Sequence, residues 1–234
     1  MNYLRSNNFI NKILNQTIND NIEIISIHIP KTAGTSFRKL LELNYENSFE
    51  WIKRDNKLNC FCEKKYCRLN KGIRVIHGHF PVFKDLTKYY PNAKLITWIR
   101  DPVERLISHY YFFKFYPRHG NKQQDFMLDL DLSIIQFAKI KQIGYFYKRF
   151  LKYLEELKYE DFYFIGIVEE FDNYIDILAD KLGWQYKDKF FERKSGNRID
   201  PTEKELLELK EILSEEIKFY DSIRVKNRKL YPRV

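Results

Sequence analysis

The chain has 234 residues, a length that suits one α/β domain with a full hydrophobic core. Hydrophobic residues make up 44% of the sequence and aromatic residues 17%, which excludes a disordered chain. The 41 lysines and arginines outnumber the 32 aspartates and glutamates, and the resulting charge of +9 favours anionic ligands of several kinds. No zinc-finger, RNA-recognition or KH pattern accompanies this charge, so nucleic acid is not an expected partner.

The first stretch, residues 1–21, is polar and has no apolar core of signal-peptide length. No apolar run in the sequence is long enough to span a bilayer. We therefore expect an irregular or short helical lead-in, no transmembrane segment and a cytoplasmic location, with a removed membrane anchor as the alternative.

The strongest signal lies in residues 22–43. Residues 22–29 are mostly apolar and β-branched, which predicts a buried strand. Pro30 ends the strand, and a loop of small and polar residues follows before apolar residues recur at helical spacing from Phe37. Such a strand, turn and helix start bring backbone N–H groups and the positive end of a helix dipole together, which makes an anion site. Its candidate ligands are Lys31, Thr32, Ala33, Gly34, Thr35 and Ser36.

This loop differs from the Walker A P-loop, in which GxxxxGK is followed by Ser or Thr. Here Lys31 comes directly after the strand, and the loop contains one glycine. The sequence HIPKTAGTSF instead resembles the 5′-phosphosulfate loop of sulfotransferases that use 3′-phosphoadenosine 5′-phosphosulfate (PAPS), in their carbohydrate-sulfotransferase branch. The resemblance implies a P-loop-kinase-like sulfotransferase fold, a catalytic Lys31 and a 5′-phosphate held by residues 32–36. The alternative is an ordinary βα turn with a surface lysine.

Residues 44–71 are polar and aromatic, and we expect an insertion at the rim of the sheet. Three cysteines lie in this stretch: Cys60, Cys62 and Cys67. They could form one disulfide with a free thiol, or supply three zinc ligands. Because no fourth ligand is obvious nearby, we favour reduced thiols on an exposed loop and predict no metal site.

A second strand is predicted at 73–77, with a loop and then a helix near 84–90. The sequence IHGHF at 76–80 resembles the His-Gly-His of uronosyl 2-O-sulfotransferases, in which one histidine acts as the base. A neutral imidazole can take the proton of a sugar hydroxyl while the oxygen attacks sulfur. The resemblance makes His79 the expected base, with His77 as its neighbour and a candidate substrate contact.

Two alternatives to a histidine base stay open from the sequence. The histidines could be structural, as lone histidines often are. The base could instead be a carboxylate, as in other sulfotransferase branches, supplied by Glu42, Glu46 or Glu50.

A third strand at 94–99 ends at Arg100, and a helix follows. Asp101 is its predicted cap, and Glu104 stands in the capping-box position. The wording LITWIRDPVERLISHYYF resembles the R-D-P-x-x-R-x-x-S pattern that binds the cofactor's 3′-phosphate, which implies that Arg100 and Ser108 do so here. Arginine can donate two parallel hydrogen bonds to a phosphate, and eight helical residues return Ser108 to nearly the same face. Whether Arg105 contacts phosphate or is a surface charge stays open, and a structural salt bridge is the alternative for Arg100.

Helices are predicted at about 131–143 and 145–158, a fourth strand at 162–168 and a helix at about 171–182. FIGIVEEFDNYIDIL resembles the strand and helix that follow in this family, with Glu169 and Phe171 in familiar positions. RKSGNRID lies where relatives place a loop over the nucleotide, which implies cofactor contacts from Lys194, Asn197 and Arg198. Residues 200–203 repeat the capping pattern before a last long helix, and the basic tail at 222–234 is expected to be irregular.

Apolar strands that alternate with helices predict an α/β fold: a parallel β-sheet flanked by helices on both faces. Ligands bind such sheets at the carboxyl ends of the strands, where Lys31, His79 and Arg100 all fall. Together with the resemblance, this predicts one sulfotransferase domain over residues 1–234. It would move a sulfuryl group from PAPS to an acceptor hydroxyl and release adenosine 3′,5′-bisphosphate without a metal. The acceptor is expected to be a carbohydrate, with anionic carbohydrates among the candidates. A nucleotide-dependent kinase on the same fold and a non-catalytic module for anionic glycans are the other classes left open.

Overall fold

The computed structural model of the chain describes residues 21–52, 69, 72–79, 86–140, 158–187 and 198–232. The strands in these parts are β1 (Ile24–Ile27), β2 (Phe49–Ile52), β3 (Val75–Gly78), β4 (Lys94–Ile99) and β5 (Phe164–Ile167). They form one parallel sheet in the order β2-β3-β1-β4-β5. Every residue of β1, β3 and β5 is buried, which requires cover on both faces of the sheet. The predicted fold class is thereby confirmed.

The described helices pack in two groups. Their bounds are α1 (Gly34–Tyr45), α2 (Leu86–Tyr89), α3 (Pro102–Phe115), α4 (Lys122–Asp129), α5 (Ile134–Lys139), α6 (Phe171–Leu182), α7 (Glu203–Ile212) and α8 (Ser214–Leu230). Apolar residues of α1, α6 and α8 join the strands in the main core. A second apolar cluster joins α3, α4, α5 and α7. Helix α3 therefore projects from the carboxyl end of β4 into its own helical layer.

The expected rim insertion at 44–71 was wrong in part, because β2 lies within it. Phe49–Ile52 pairs with β3 in parallel register and forms one of the two edge strands of the described sheet. Its first three residues are only partly buried, so the strand lacks the continuous apolar run by which the others were recognised. The cysteines of this stretch lie outside the described residues.

The expected irregular tail was also wrong, because α8 continues to Leu230. The buried residues Tyr220, Ile223 and Asn227 recur at helical spacing between the basic ones. The Asn227 amide donates a 2.7 Å hydrogen bond to the carbonyl of Ile165 in β5. The basic residues are the solvent-facing side of a packed helix.

Several helix boundaries differ from the sequence expectation. Helix α7 begins after Thr202, which forms a full capping box with Glu205, and not after Asp200. Helix α4 was not predicted, and α5 is shorter than the helix expected at 131–143. The further helix expected at 145–158 falls almost entirely outside the described residues.

The strand register brings the candidate residues to one edge. Ile27 of β1 lies opposite Gly78 of β3 on one side and Thr97 of β4 on the other. The residues that follow these strands therefore leave the sheet at its carboxyl edge, side by side.

Candidate functional site

The loop after β1 is held in an uncommon backbone conformation. Lys31 has φ 68° and Ala33 has φ 56°, so two non-glycine residues adopt the left-handed region within three positions. Each costs roughly 1–2 kcal/mol relative to ordinary backbone, and such residues cluster at functional sites. Ala33 is the N-cap of α1, and no side chain of the described residues caps this helix start. The first N–H groups of α1 thus have no side-chain partner among the described residues, a helix start that suits an anion.

Other residues of the loop divide between structural and exposed roles. Thr32 is buried, and its hydroxyl donates a 2.7 Å hydrogen bond to the carbonyl of Ile29. Ser36 is buried in the first turn of α1, whereas Thr35 is partly exposed. The predicted binding loop therefore presents mainly backbone, with Thr35 as the more accessible hydroxyl.

Helix α3 supports the loop through Arg105, whose role was left open. The guanidinium is buried, and its Nη1 donates a 3.4 Å hydrogen bond to the carbonyl of Pro30. Its Nη2 lies 4.0 Å from Oε2 of Glu216, a buried residue of α8. Arg105 is therefore no surface charge, and it ties the loop to two helices.

The Lys31 side chain lies against the exposed side of α3. Its Nζ is 4.4 Å from the ring centroid of Phe112, a cation–π contact. Glu104, Ser108 and Phe112 are spaced four residues apart and so share one face of α3. That face runs from the ammonium of Lys31 back towards Arg100, with the partly exposed Ser108 between them.

The start of α3 carries a cluster of opposite charges. Arg198 donates hydrogen bonds of 2.8 and 2.9 Å to the two carboxylate oxygens of Glu104, and Arg100 lies 3.3 Å from the same carboxylate. These hydrogen bonds from Arg198 are the main reason that the pKa of Glu104 lies below its usual value. The structure thus brings Arg198 and Arg100 to the same carboxylate. Lys194 and Asn197 lie outside the described residues.

Sequence reasoning misassigned Glu104. Asp101 caps α3 by accepting from the N–H of Glu104 at 2.9 Å, as expected. The N–H of Asp101, however, donates to Glu169 at 2.9 Å. Glu169, which follows β5, thus accepts the hydrogen bond that the predicted capping box assigned to Glu104. Glu104 is left to pair with Arg100, four residues before it, and with Arg198, which is 94 residues away and so too distant in sequence for a local pattern to reveal.

The two candidate histidines occupy different environments. His79 is partly exposed, and its Nδ1 lies 2.8 Å from the carbonyl oxygen of His28. Since a carbonyl only accepts, Nδ1 carries the proton and the lone pair of the neutral ring is on Nε2. His77 is 1% exposed, its Nδ1 is hydrogen-bonded to Ser26 Oγ, and burial lowers its pKa to about 3. Of the two, His79 is the one that solvent reaches.

The alternative carboxylates lie away from the loop. Glu42 is about 12 Å along α1 from Gly34, at a rise of about 1.5 Å per residue. Glu46 follows the end of α1, and Glu50 is inside β2, opposite Ile76. The structure therefore gives no support to a base among these glutamates.

Within the described ranges, no group of three or more His, Cys, Asp or Glu could hold a metal ion. A search of the same ranges for a helix both long and apolar enough to cross a membrane found none.

Comparison with known proteins gives a family match over most of the chain. The model described as "Sulfotransferase family" matches residues 15–187. Heparan sulfate 2-O-sulfotransferase 1 of Xenopus laevis is 32% identical over 113 residues, which cover 41% of this chain and 30% of that protein. The Homo sapiens protein of the same name is 31% identical over 109 residues, with the same shares. The match thus spans less than a third of each of these relatives.

A solved structure agrees with the architecture. The mouse sulfotransferase SULT7A1 complexed with PAP superposes with a TM-score of 0.55 at 15% identity, covering 94% of this chain and 92% of that one. At this level of identity the likeness concerns the fold.

Proposed function

Since the chain belongs to the sulfotransferase family, we propose that it transfers a sulfuryl group from PAPS to a carbohydrate hydroxyl, with release of adenosine 3′,5′-bisphosphate. The observation that carries the proposal is a pair of anion sites at one edge of the sheet. One is the start of α1, which no described side chain caps, together with Lys31, and the other is the arginine pair Arg100 and Arg198. They follow the adjacent strands β1 and β4, an arrangement that suits a nucleotide with phosphate groups at both its 5′ and 3′ positions.

PAPS would supply the sulfuryl group, with the sulfur–oxygen bond to its 5′-phosphate breaking as the acceptor oxygen bonds to sulfur. The first N–H groups of α1 would bind the 5′-phosphate, and the Lys31 ammonium would stabilise the negative charge that grows on it. Arg100 would bind the 3′-phosphate, together with Ser108, which lies one turn beyond Glu104 on α3. Arg198, which shares the Glu104 carboxylate with Arg100, would contribute a second guanidinium. Each of these tasks is positioning or charge stabilisation.

His79 is our proposed base. With Nδ1 donating to the His28 carbonyl, Nε2 has the lone pair that accepts the hydroxyl proton. His77 is buried beneath the site, so we assign it a supporting role there. His79→Ala should therefore lose turnover and retain bisphosphate binding.

A carbohydrate acceptor is supported by the names of the relatives, which are heparan sulfate 2-O-sulfotransferases. The net charge of +9 suits an acidic polysaccharide. A cytoplasmic location stays a prediction, and fractionation of the source cells would test it.

The first experiment is calorimetric binding of adenosine 3′,5′-bisphosphate, ADP and AMP to the wild type and to Arg100→Ala. We expect the bisphosphate to bind best and Arg100→Ala to weaken it about 10- to 100-fold, the value of charged hydrogen bonds to one phosphate. AMP binding should be unchanged. Arg118→Ala is the matched control. Arg118 is an exposed residue between α3 and α4, and it pairs with Asp125 and Asp129 of α4.

Two results would contradict the proposal. A preference for ADP with magnesium would favour the kinase, which the lysine at the start of the loop already argues against. Glycan binding without any nucleotide binding would favour the non-catalytic module.

A further inference from the structure

Three histidines from neighbouring strands form a column at the carboxyl edge. The ring of His28, directly after β1, is stacked between His77 and His79 of β3 and its following loop. The centroid separations are 5.0 Å to His77 and 4.1 Å to His79, with interplanar angles of 18° and 25°. His28 is absent from the candidate residues drawn from the sequence, because 51 residues separate it from His79.

The His28 ring is also fixed from the side of the binding loop. A Cβ atom on Gly34 would lie 1.8 Å from Nε2 of His28, so the glycine at the start of α1 leaves room for this imidazole. With Gly34 beside it and a histidine on each face, the ring has little freedom to turn.

The ring is held in its neutral form. Burial lowers the pKa of His28 well below its ordinary value, and the neighbouring His79, His77, Lys31 and Arg38 lower it further. Its Nδ1 is buried and has no hydrogen-bond partner among the described residues. A neutral ring with a buried nitrogen is poorly suited to carry protons, whereas its flat face is well suited to support another ring.

We propose that His28 is a positioning residue that fixes the ring plane and tautomer of His79. This inference rests on the proposed function for the catalytic role of His79, but the alignment itself does not depend on it. The His28 carbonyl binds Nδ1–H of His79, and the His28 side chain packs on its face. Two contacts from one residue thus direct the lone pair of Nε2, which the hydroxyl proton must reach.

A matched pair of variants separates the aromatic face from the nitrogens. His28→Phe keeps a flat ring without nitrogens, whereas His28→Leu fills much of the volume without a flat ring. The tautomer of His79 is read from its side-chain ¹⁵N shifts in long-range ¹H–¹⁵N spectra, with His79→Asn for assignment. Every variant keeps the His28 carbonyl, so the variants test whether the flat side chain holds the His79 ring in line with that carbonyl. We expect the Nδ1–H tautomer in the wild type and His28→Phe, and a mixture of tautomers in His28→Leu, because without the flat face the His79 ring can turn away from the carbonyl. The Nδ1–H tautomer retained in His28→Leu would overturn the proposal.

Kinetics give the functional readout. His28→Leu should lower kcat about 10- to 100-fold, as expected for a misplaced base, with KM and bisphosphate affinity unchanged. His28→Phe should recover most of the lost kcat, and a kcat as low as that of His28→Leu would overturn the positioning role. If the wild type transfers no sulfuryl group, the proposed function fails, and the NMR spectra still decide the alignment.

Discussion

The two ends of the candidate site, which we propose to bind anions, are built by different means. At the Lys31 end the chain uses left-handed backbone, a helix start that no side chain of the described residues caps, and a buried arginine behind the loop. At the Arg100 end it uses side chains, with the Glu104 carboxylate 39% exposed between two arginines.

The Lys31 end therefore contains strained backbone, whereas the Arg100 end contains ion pairs that can exchange partners. Left-handed backbone at Lys31 and Ala33 costs roughly 1–2 kcal/mol per residue and must be compensated by packing such as that of Arg105. Exposed ion pairs contribute roughly 0–1 kcal/mol, so Glu104 can yield its arginines to a phosphate at little cost in stability. The first end should therefore be sensitive to substitution in rate and fold, and the second mainly in nucleotide affinity.

The largest expected effect is at Lys31. Lys31→Ala and Lys31→Gly both remove the ammonium, so turnover should fall about 10²- to 10³-fold, the typical loss of one transition-state stabiliser. The glycine variant should be about 1 kcal/mol more stable than the alanine variant, because glycine adopts a φ of 68° freely. Single-turnover rates and urea unfolding measure the two quantities. A fully active Lys31→Ala would remove the assigned role.

The next effect concerns the support behind the loop. Arg105→Met leaves the carboxylate of Glu216 buried without its arginine and should destabilise the chain by about 3 kcal/mol in urea unfolding. The double variant Arg105→Met with Glu216→Leu should regain most of that loss.

The control for that cycle is Arg74→Met, which cuts an exposed pair with Glu23 at 2.7 Å. It should cost no more than about 1 kcal/mol. Equal losses in Arg74→Met and Arg105→Met would show that burial of the Arg105 pair contributes nothing to the loop's support.

Local patterns were enough to predict the parts of the molecule that are locally determined. The strand Lys94–Ile99 and the helix Phe171–Leu182 have the predicted bounds, since each is a clear apolar pattern ended by polar residues or glycine. The strand, turn and helix start around Lys31 were predicted because they are contiguous in sequence.

The rest of the fold and of the candidate site depends on contacts between residues that are far apart in the sequence. Strand order places His28 against His79 across 51 residues, and Glu104 meets Arg198 across 94. The burial of Arg105 and the edge strand at Phe49–Ile52 follow from the same long-range packing. A single sequence contains no periodic signal for such contacts.

The buried His77 should make the free energy of unfolding depend on pH. The pKa of His77 is about 3 in the folded chain and about 6.5 when unfolded, so the unfolded state binds the extra proton between these values. This contribution to stability is complete above pH 6.5 and is lost as pH falls towards 3, with a slope of up to about 1.4 kcal/mol per pH unit. His28 and His109, whose pKa values burial also lowers, act in the same direction. Urea unfolding between pH 5 and 8 should give a shallower slope for His77→Asn, and an unchanged slope would contradict the assignment.

The smallest expected effect is at Glu104, and it tests whether the ion pairs at the Arg100 end can exchange partners. The pKa of Glu104 is depressed mainly by Arg198, so its contribution to stability is present above the unfolded value of 4.5 and is lost as pH falls through the lower folded value. With the carboxylate 39% exposed, Glu104→Gln should cost less than about 1 kcal/mol at neutral pH, and the difference should vanish in acid.

Bisphosphate affinity of Glu104→Gln should stay equal or rise, because Arg100 no longer has to leave a carboxylate. Glu160→Gln, which cuts an exposed pair with Lys226 beside the amino end of β5, should leave that affinity unchanged. A marked loss of affinity in Glu104→Gln alone would mean that Glu104 is a fixed scaffold for the arginines, and the two ends would then be built alike.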